Sequence, residues 1–328
     1  VINSNPQAPL GATRRRPHRG PAALLLLALV GVLGLTGCAS REESVDTSAE
    51  QVDGDFPVEV SVAGGAPVTI DRRPVQIVSL SPSATEMLFA IGAGDQVIAV
   101  DDNSDYPPEA PTSDLSGFSP SPEAVADQNP DLVVASADSE GLVEGMGAVD
   151  VPVLLLPAAE DLSDTYAQIE ALGEATGHAE PARALAADLE NQIDEIVAAA
   201  EVPEGLSFYH EVTEDLYSVG SATFIGQIYG LFGMTNIADE AAGGGDYPQL
   251  ANEFVVDGNP DLIFLADVDC CGQSAETIAE RPGWETMTAV QTGAVVLLDD
   301  DVASRWGPRV VEFVDAVAEA AGTTEQSG

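Results

Sequence analysis

Covalent catalysis needs a nucleophile with a base beside it, a metal cage, or a loop that cradles phosphate, and the chain carries the signature of none of these. It has no G-x-S-x-G elbow, no Walker-type phosphate loop, no H-E-x-x-H pair and no G-x-G-x-x-G after a first strand. Beyond residue 37 the only histidines are His178 and His210, so one molecule cannot assemble a three-histidine cage. The 55 acidic residues would allow many carboxylate pairs, and nothing singles one out. Ligand-binding residue types cluster instead at the ends of predicted strands and in the loops that follow. The first half contributes Ser83, Asn103, Tyr106 and Phe118, and the second Tyr209, His210, Tyr217, Tyr247, Asp301, Arg305 and Trp306. Open α/β sheets bind ligands outside the carboxyl ends of their strands, where these loops lie. Arg305 beside Trp306 suits an anionic or carbonyl-rich ligand, and equally a salt bridge to Asp299, Asp300 or Asp301.

The elements that must hold these loops follow from patterning. QIVSL (Gln76 to Leu80) reads as a buried strand, and Ser83 to Glu86 has the form of a capping box opening a helix through Ile91. VIAV (Val97 to Val100) is the next strand, and the absence of a hairpin turn between the two strands implies a right-handed parallel crossover. A short helix headed by Ser121-Pro122, the strand DLVVA and the strand VPVLLLP complete a first α/β lobe. From Asp161 to Ala200 no strand signal occurs, and two helices are expected, the second about 30 Å long and placed to act as a stiff strut. A second lobe then repeats the first in outline, from LSFYHE to a last helix near Pro308. Within it ANEFVVDGNPDLIFL (Ala251 to Leu265) matches SPEAVADQNPDLVVA (Ser121 to Ala135) at seven positions, Glu123/Glu253 among them. Each glutamate falls in the first turn of a short helix, where the macrodipole also favours it.

Composition bounds the partners. Eleven basic residues, all arginine, against 55 acids give a formal net charge of -44, a surface that repels nucleic acid and anionic lipid headgroups. At the N-terminus a basic segment (Arg14 to Gly20) precedes an apolar run ending in LTGC, which reads as a secretory signal with a lipobox and Cys38 as the lipidated residue. The acidic, patternless stretch after it reads as a flexible tether. The adjacent pair Cys270-Cys271 leaves open a vicinal disulfide, free thiols or a purely structural role, and is a poor metal site.

SLSPSATEMLFAIGAGDQVIAVDDNSDYP, the two glutamate-helix and NPDL units, the long linker helix, DYPQLANE and DDDVASRWGPR together resemble the lipoprotein substrate-binding components of bacterial ABC importers for iron-siderophores, haem and cobalamin. The resemblance runs from about Gln76 to Val317. It implies two Rossmann-like lobes with mostly parallel sheets, joined by a long rigid helix, with the ligand held between them. It also implies that Glu123 and Glu253 dock onto arginines of a membrane permease. In the cobalamin-binding branch, Tyr247, Asp301 and Arg305 match ligand positions; Phe118 is one residue out of step, and Asn103 stands where the branch has tyrosine.

The organisation expected is a signal peptide over 1–37, a tether over 38–55, an N-terminal lobe over 56–160, a helical linker over 161–202 and a C-terminal lobe over 203–322. The function expected is that of a lipid-anchored, monomeric receptor on the outer face of the cytoplasmic membrane, delivering a metal chelate to an ABC permease and its ATPase. It is not an enzyme and has no resident cofactor, any iron or cobalt belonging to the ligand. Its rivals are an exported hydrolase, which would need an activated nucleophile, and a sensory or adhesion module without a permease.

Overall fold

Alternation in the stretch before the first buried strand produces a hairpin: Val58–Val60 (β1) pairs antiparallel with Val68–Ile70 (β2). The structure, a computed structural model, describes residues 56–323 apart from 64, 242 and 243. The expected signal segment, tether and Cys38 lie outside the described residues.

The N-terminal lobe follows as Ile77–Leu80 (β3), Pro82–Ala90 (α1), Val97–Val100 (β4), Pro122–Ala126 (α2), Leu132–Ala135 (β5), Leu142–Gly147 (α3) and Val153–Leu155 (β6). Its strands are all parallel in the order β4-β3-β5-β6. Every residue of β3 and β5 is buried, as expected of parallel strands covered on both faces.

Two helices come next, Leu162–Thr176 (α4) and Ala179–Ala199 (α5), turning at Gly177 in the left-handed conformation. The close approach of α4 to α5 requires Gly173, since a Cβ there would sit 2.2 Å from that of Ala182. Along one face of α5, Ala182, Ala186 and Leu189 join the N-terminal core, and Ile193 joins the C-terminal core. The helix is the strut that its sequence predicts, ~31 Å long at 1.5 Å per residue.

The C-terminal lobe comprises Ser207–Glu211 (β7), Phe224–Gly230 (α6), Thr235–Asn236 (β8), Asn252–Gly258 (α7), Leu262–Leu265 (β9), Val268–Cys271 (α8), Ala275–Ala279 (α9), Thr288–Thr292 (α10), Val295–Leu297 (β10), Asp300–Ser304 (α11) and Val310–Thr323 (α12). Its parallel order, β8-β7-β9-β10, is that of the first lobe strand for strand. Each lobe therefore has its switch point beside its first strand, with the following loops at the carboxyl edge.

The repeated segment is structurally a repeat as well. Residues 121–136 and 251–266 share the same burial class at every position. Asn259 caps α7 and Asn129 closes the turn that follows α2, both in the left-handed region, at φ 40° and 56°, a conformation asparagine tolerates. The aspartate two residues on pins the lobe's first strand. Asp131 accepts from the backbone N–H groups of Val75 and Gln76 at 2.9–3.1 Å, and Asp261 accepts from the N–H and hydroxyl of Ser207 at 2.9 and 2.7 Å. The NPD half of the repeat is thus explained by folding, whereas Glu123 and Glu253 are exposed and, among the described residues, in no ion pair.

Alanine at Asp131 or Asp261 should cost about 1–2 kcal/mol of stability in urea unfolding, while alanine at Glu123 or Glu253 should stay within about 0.5 kcal/mol.

Candidate functional site

The first loop of the N-terminal lobe sets the site. Ser81, not Ser83, caps α1: its side chain accepts from the N–H of Ala84, with Pro82 at the first helical position. The expected Ser83–Glu86 capping box is therefore corrected. Glu86 lies two residues beyond the position a capping box requires, and its carboxylate, with a side chain only 1% exposed, receives two arginines of the other lobe. Arg305 donates through Nη1 at 3.1 Å, and Arg309 through Nε and Nη2 at 3.1 and 2.7 Å.

Arg305 also binds Asp301 (2.7 Å), Asp105 (3.1 Å) and the carbonyl of Asn103 (2.9 Å). Trp306 packs against the N-terminal core and donates from Nε1 to Gln168 of α4 at 3.0 Å. Gly307 permits this approach, because a Cβ would come within 2.9 Å of Glu86 Oε2. The loops after β4 and β10 therefore meet, and the carboxyl edges of the two lobes adjoin at this clamp. Beside it a cavity of about 340 Å³ opens between α1, residues 106–109 and the start of α12. There the Arg309 guanidinium lies 4.2 Å from the Tyr106 ring centroid.

At the carboxyl edge of the C-terminal lobe a second buried cluster supports the rim. Glu211, at the end of β7, takes Arg281 through both guanidinium nitrogens at 2.6 and 2.7 Å and the Tyr209 hydroxyl at 3.0 Å. Asp267, after β9, is fully buried, and neither carboxyl oxygen has a hydrogen-bond partner among the described residues. Burial first, and the Glu211 carboxylate second, push its pKa up to about 7. Asp300 accepts from the N–H groups of Val268, Asp269 and Cys270 and so caps α8. In this helix the neighbouring Cys270 and Cys271 are paired as a vicinal disulfide, one of the alternatives the sequence leaves open.

Of the residues the sequence proposes for ligand contact, Phe118, Tyr247, Tyr106 and Tyr217 are 83%, 54%, 42% and 40% exposed, unusual for aromatic side chains. Tyr217 and Tyr247 share one backbone ladder, because residues 216–220 and 246–250 exchange hydrogen bonds such as Ser218 N–H to Pro248 carbonyl at 2.9 Å. Asn103 is exposed, and Asp301 is half-buried against Arg305.

Three residues are placed otherwise. Tyr209, His210 and Ser83 are at most 2% exposed, since both faces of β7 and the first turn of α1 are covered. His210 hydrogen-bonds the Tyr229 hydroxyl at 2.8 Å, and burial drives its pKa down to about 3, so it is neutral at physiological pH. Glu86 and Arg309 were missed. The available signal was a second arginine four residues after Arg305 in a chain with so few cations. No group of three or more potential metal ligands occurs among the described residues.

Removing one partner of a buried ion cluster strands the others, so Glu86→Ala should cost ~3–5 kcal/mol in chemical unfolding. The raised carboxyl of Asp267 has the opposite sign to a salt-bridged one. Between about pH 4 and pH 7 the unfolded chain has released this proton and the folded chain has not, so stability falls as pH rises through that window and is level above it. The slope, up to ~1.4 kcal/mol per pH unit, should vanish in Asp267→Asn when Tm or urea midpoints are compared across pH.

Residues 77–302 match the periplasmic binding protein family. An uncharacterised ABC transporter substrate-binding lipoprotein of Bacillus subtilis is 32% identical over 91% of this chain and 95% of its own length. A cobalamin-binding protein of Halobacterium salinarum is 29% identical over 92% of this chain and 85% of its own. The apo structure of a periplasmic haem-binding protein from Roseiflexus sp. RS-1 has the same fold, with a TM-score of 0.67 at 24% identity over 76% of this chain and 98% of that one. Sequence similarity over most of the chain and a shared two-lobe fold agree, and the chain belongs to the periplasmic binding protein family.

Proposed function

We propose that the protein is an extracytoplasmic solute-binding lipoprotein that captures a metal chelate, a ferric siderophore, cobalamin or haem, between its lobes and delivers it to an ABC permease. The observation that carries this reading is the set of exposed aromatics on carboxyl-edge loops of both lobes, Tyr106 and Phe118 on one side and Tyr217 and Tyr247 on the other. Such rings offer large flat contact area to a chelate, and folding does not require them in water. Asn103 and Asp301 supply polar contacts at the same edge, and Arg305 joins the two sides. Tyr209, His210 and Ser83 form no part of the contact surface in this reading.

Docking to the permease falls to Glu123 and Glu253. Their support is equivalence: the same turn of the same helix in each lobe, exposed, with a burial pattern that matches throughout the surrounding repeat. A carboxylate on each lobe offers a two-point contact for basic residues of a membrane partner. The relatives named for substrate binding and for cobalamin agree with this class of function.

Two substitutions sets test it with the chain in cells that carry its permease. Glu123→Arg with Glu253→Arg should abolish uptake while leaving chelate affinity unchanged; undiminished uptake would remove the docking role. Phe118→Ala and Tyr247→Ala should each weaken chelate binding by about tenfold or more in calorimetric titration, and retained affinity would exclude the aromatic loops.

A further inference from the structure

The charges at the carboxyl edges narrow the ligand further, on the reading that this is a chelate receptor. The described chain has no lysine, and its arginines divide by position. Arg72 and Arg73 precede β3 at the amino end of the first sheet, and Arg183 lies on α5 paired with Glu174. Only Arg281, Arg305 and Arg309 reach the carboxyl edges, and each is already bound by carboxylate. Arg281 is held through both nitrogens by Glu211. Arg305 and Arg309 face four carboxylates between them, Glu86, Asp105, Asp301 and Asp299. Their side chains are only 9% and 14% exposed, so little of either guanidinium is presented to a ligand. His210 is buried and cannot add a positive charge without desolvation.

Helix N-termini are the other source of anion affinity at this edge, and the chain's own side-chain oxygens fill those of α1, α6, α8 and α11, whereas the short α7 after Tyr247 has no side-chain cap. Three N–H groups opening α8 go to the Asp300 carboxylate, and Asp299 caps α11 through the N–H of Val302 at 2.9 Å. Ser81 and Thr223 cap α1 and α6. The cavity beside the clamp repeats the pattern, with Glu86, Glu109 and Glu312 against a single arginine that Glu86 already holds.

We propose that the ligand taken at this edge is a metal chelate of zero or positive net charge, recognised by aromatic stacking and neutral hydrogen bonds, and that anionic chelates are rejected. An anion approaching Arg305 would have to displace Asp105 or Asp301, or separate a guanidinium from buried Glu86, and would meet the surplus carboxylates in doing so. Apolar chelate faces lie on Phe118, Tyr217 and Tyr247 without contest.

The test uses the purified full chain at low ionic strength. Cyanocobalamin and neutral and monocationic ferric trihydroxamates are titrated against a trianionic ferric tris-catecholate and haem, with binding read by calorimetry. At least one neutral or cationic probe should bind about tenfold or more tighter than either anionic probe, with the ratio shrinking as salt is added. In Asp105→Asn with Asp301→Asn, which leaves Arg305 in carboxylate surplus no longer, affinity for the tris-catecholate should rise by about tenfold. Equal or tighter binding of the tris-catecholate or haem by the unaltered chain would overturn the charge rule and leave a chelate receptor standing. Failure of every probe to bind, to the chain or to the variant, would remove the receptor reading and the charge rule together.

Discussion

Glu86 is the point on which the arrangement of the two lobes turns. A carboxylate with so little exposure is tolerated only if its charge is met inside, and the chain meets it with two guanidiniums from the opposite lobe. Residues 305–309 pass close to it: a Cβ on Gly307 would come within 2.9 Å of the Glu86 carboxylate, and Trp306 reaches Gln168 and the N-terminal core. Together with α5, which contributes to both cores, the clamp ties the lobes at two separate places. A motion that opened the lobes at the clamp would strip Glu86 of both cations and leave Arg305 and Arg309 only Asp301 and Asp299 of their own lobe.

The doubled helix-and-strand unit separates folding from function within a few residues. Its asparagine follows the helix in the left-handed conformation, its proline is buried, and its aspartate closes hydrogen bonds to the lobe's first strand. All three roles are local and would be needed in any protein built this way. The glutamate at the head of each unit has no comparable task, because alternative residues could occupy an exposed first-turn position at little cost. Duplication of a residue that folding does not need, beside residues that it does, is the informative feature.

The regular parts of the fold were legible because they obey short-range rules. DLVVA and DLIFLA read as buried strands from their apolar runs, and α5 shows its helical period over 21 residues. The helices α3, α8, α10 and α11 escaped, being four to six residues long and too short to display a period. At the site, the exposed aromatics could be read from loop sequence, since a ring in a polar loop has no core to fill. Tyr209 and His210 misled because a strand end in an α/β sheet can be covered on both faces, and type alone does not reveal which side chains are. Glu86 could not be assigned at all from its neighbours: Arg305 lies 219 residues away, and the Ser-Ala-Thr-Glu spelling satisfies a local rule that the prolyl start of the helix pre-empts.

Charge composition can also be read residue by residue. An excess of acid reads as surface solvation, and for most of the carboxylates nothing in the structure contradicts that. Yet Glu86, Glu211, Asp131, Asp261 and Asp300 each hold a defined set of donors, and removing any one would leave those donors unmet. The same holds in reverse for the cations. Of the six arginines among the described residues, Arg281, Arg305 and Arg309 stand where buried carboxylates need them. Solubility cannot account for cations with so little exposure, and neither can attraction of an anionic ligand, since their bonds are already made. Their placement follows from the acids they neutralise, so the scarce positive charge beside buried carboxylates marks the internal joints of the fold.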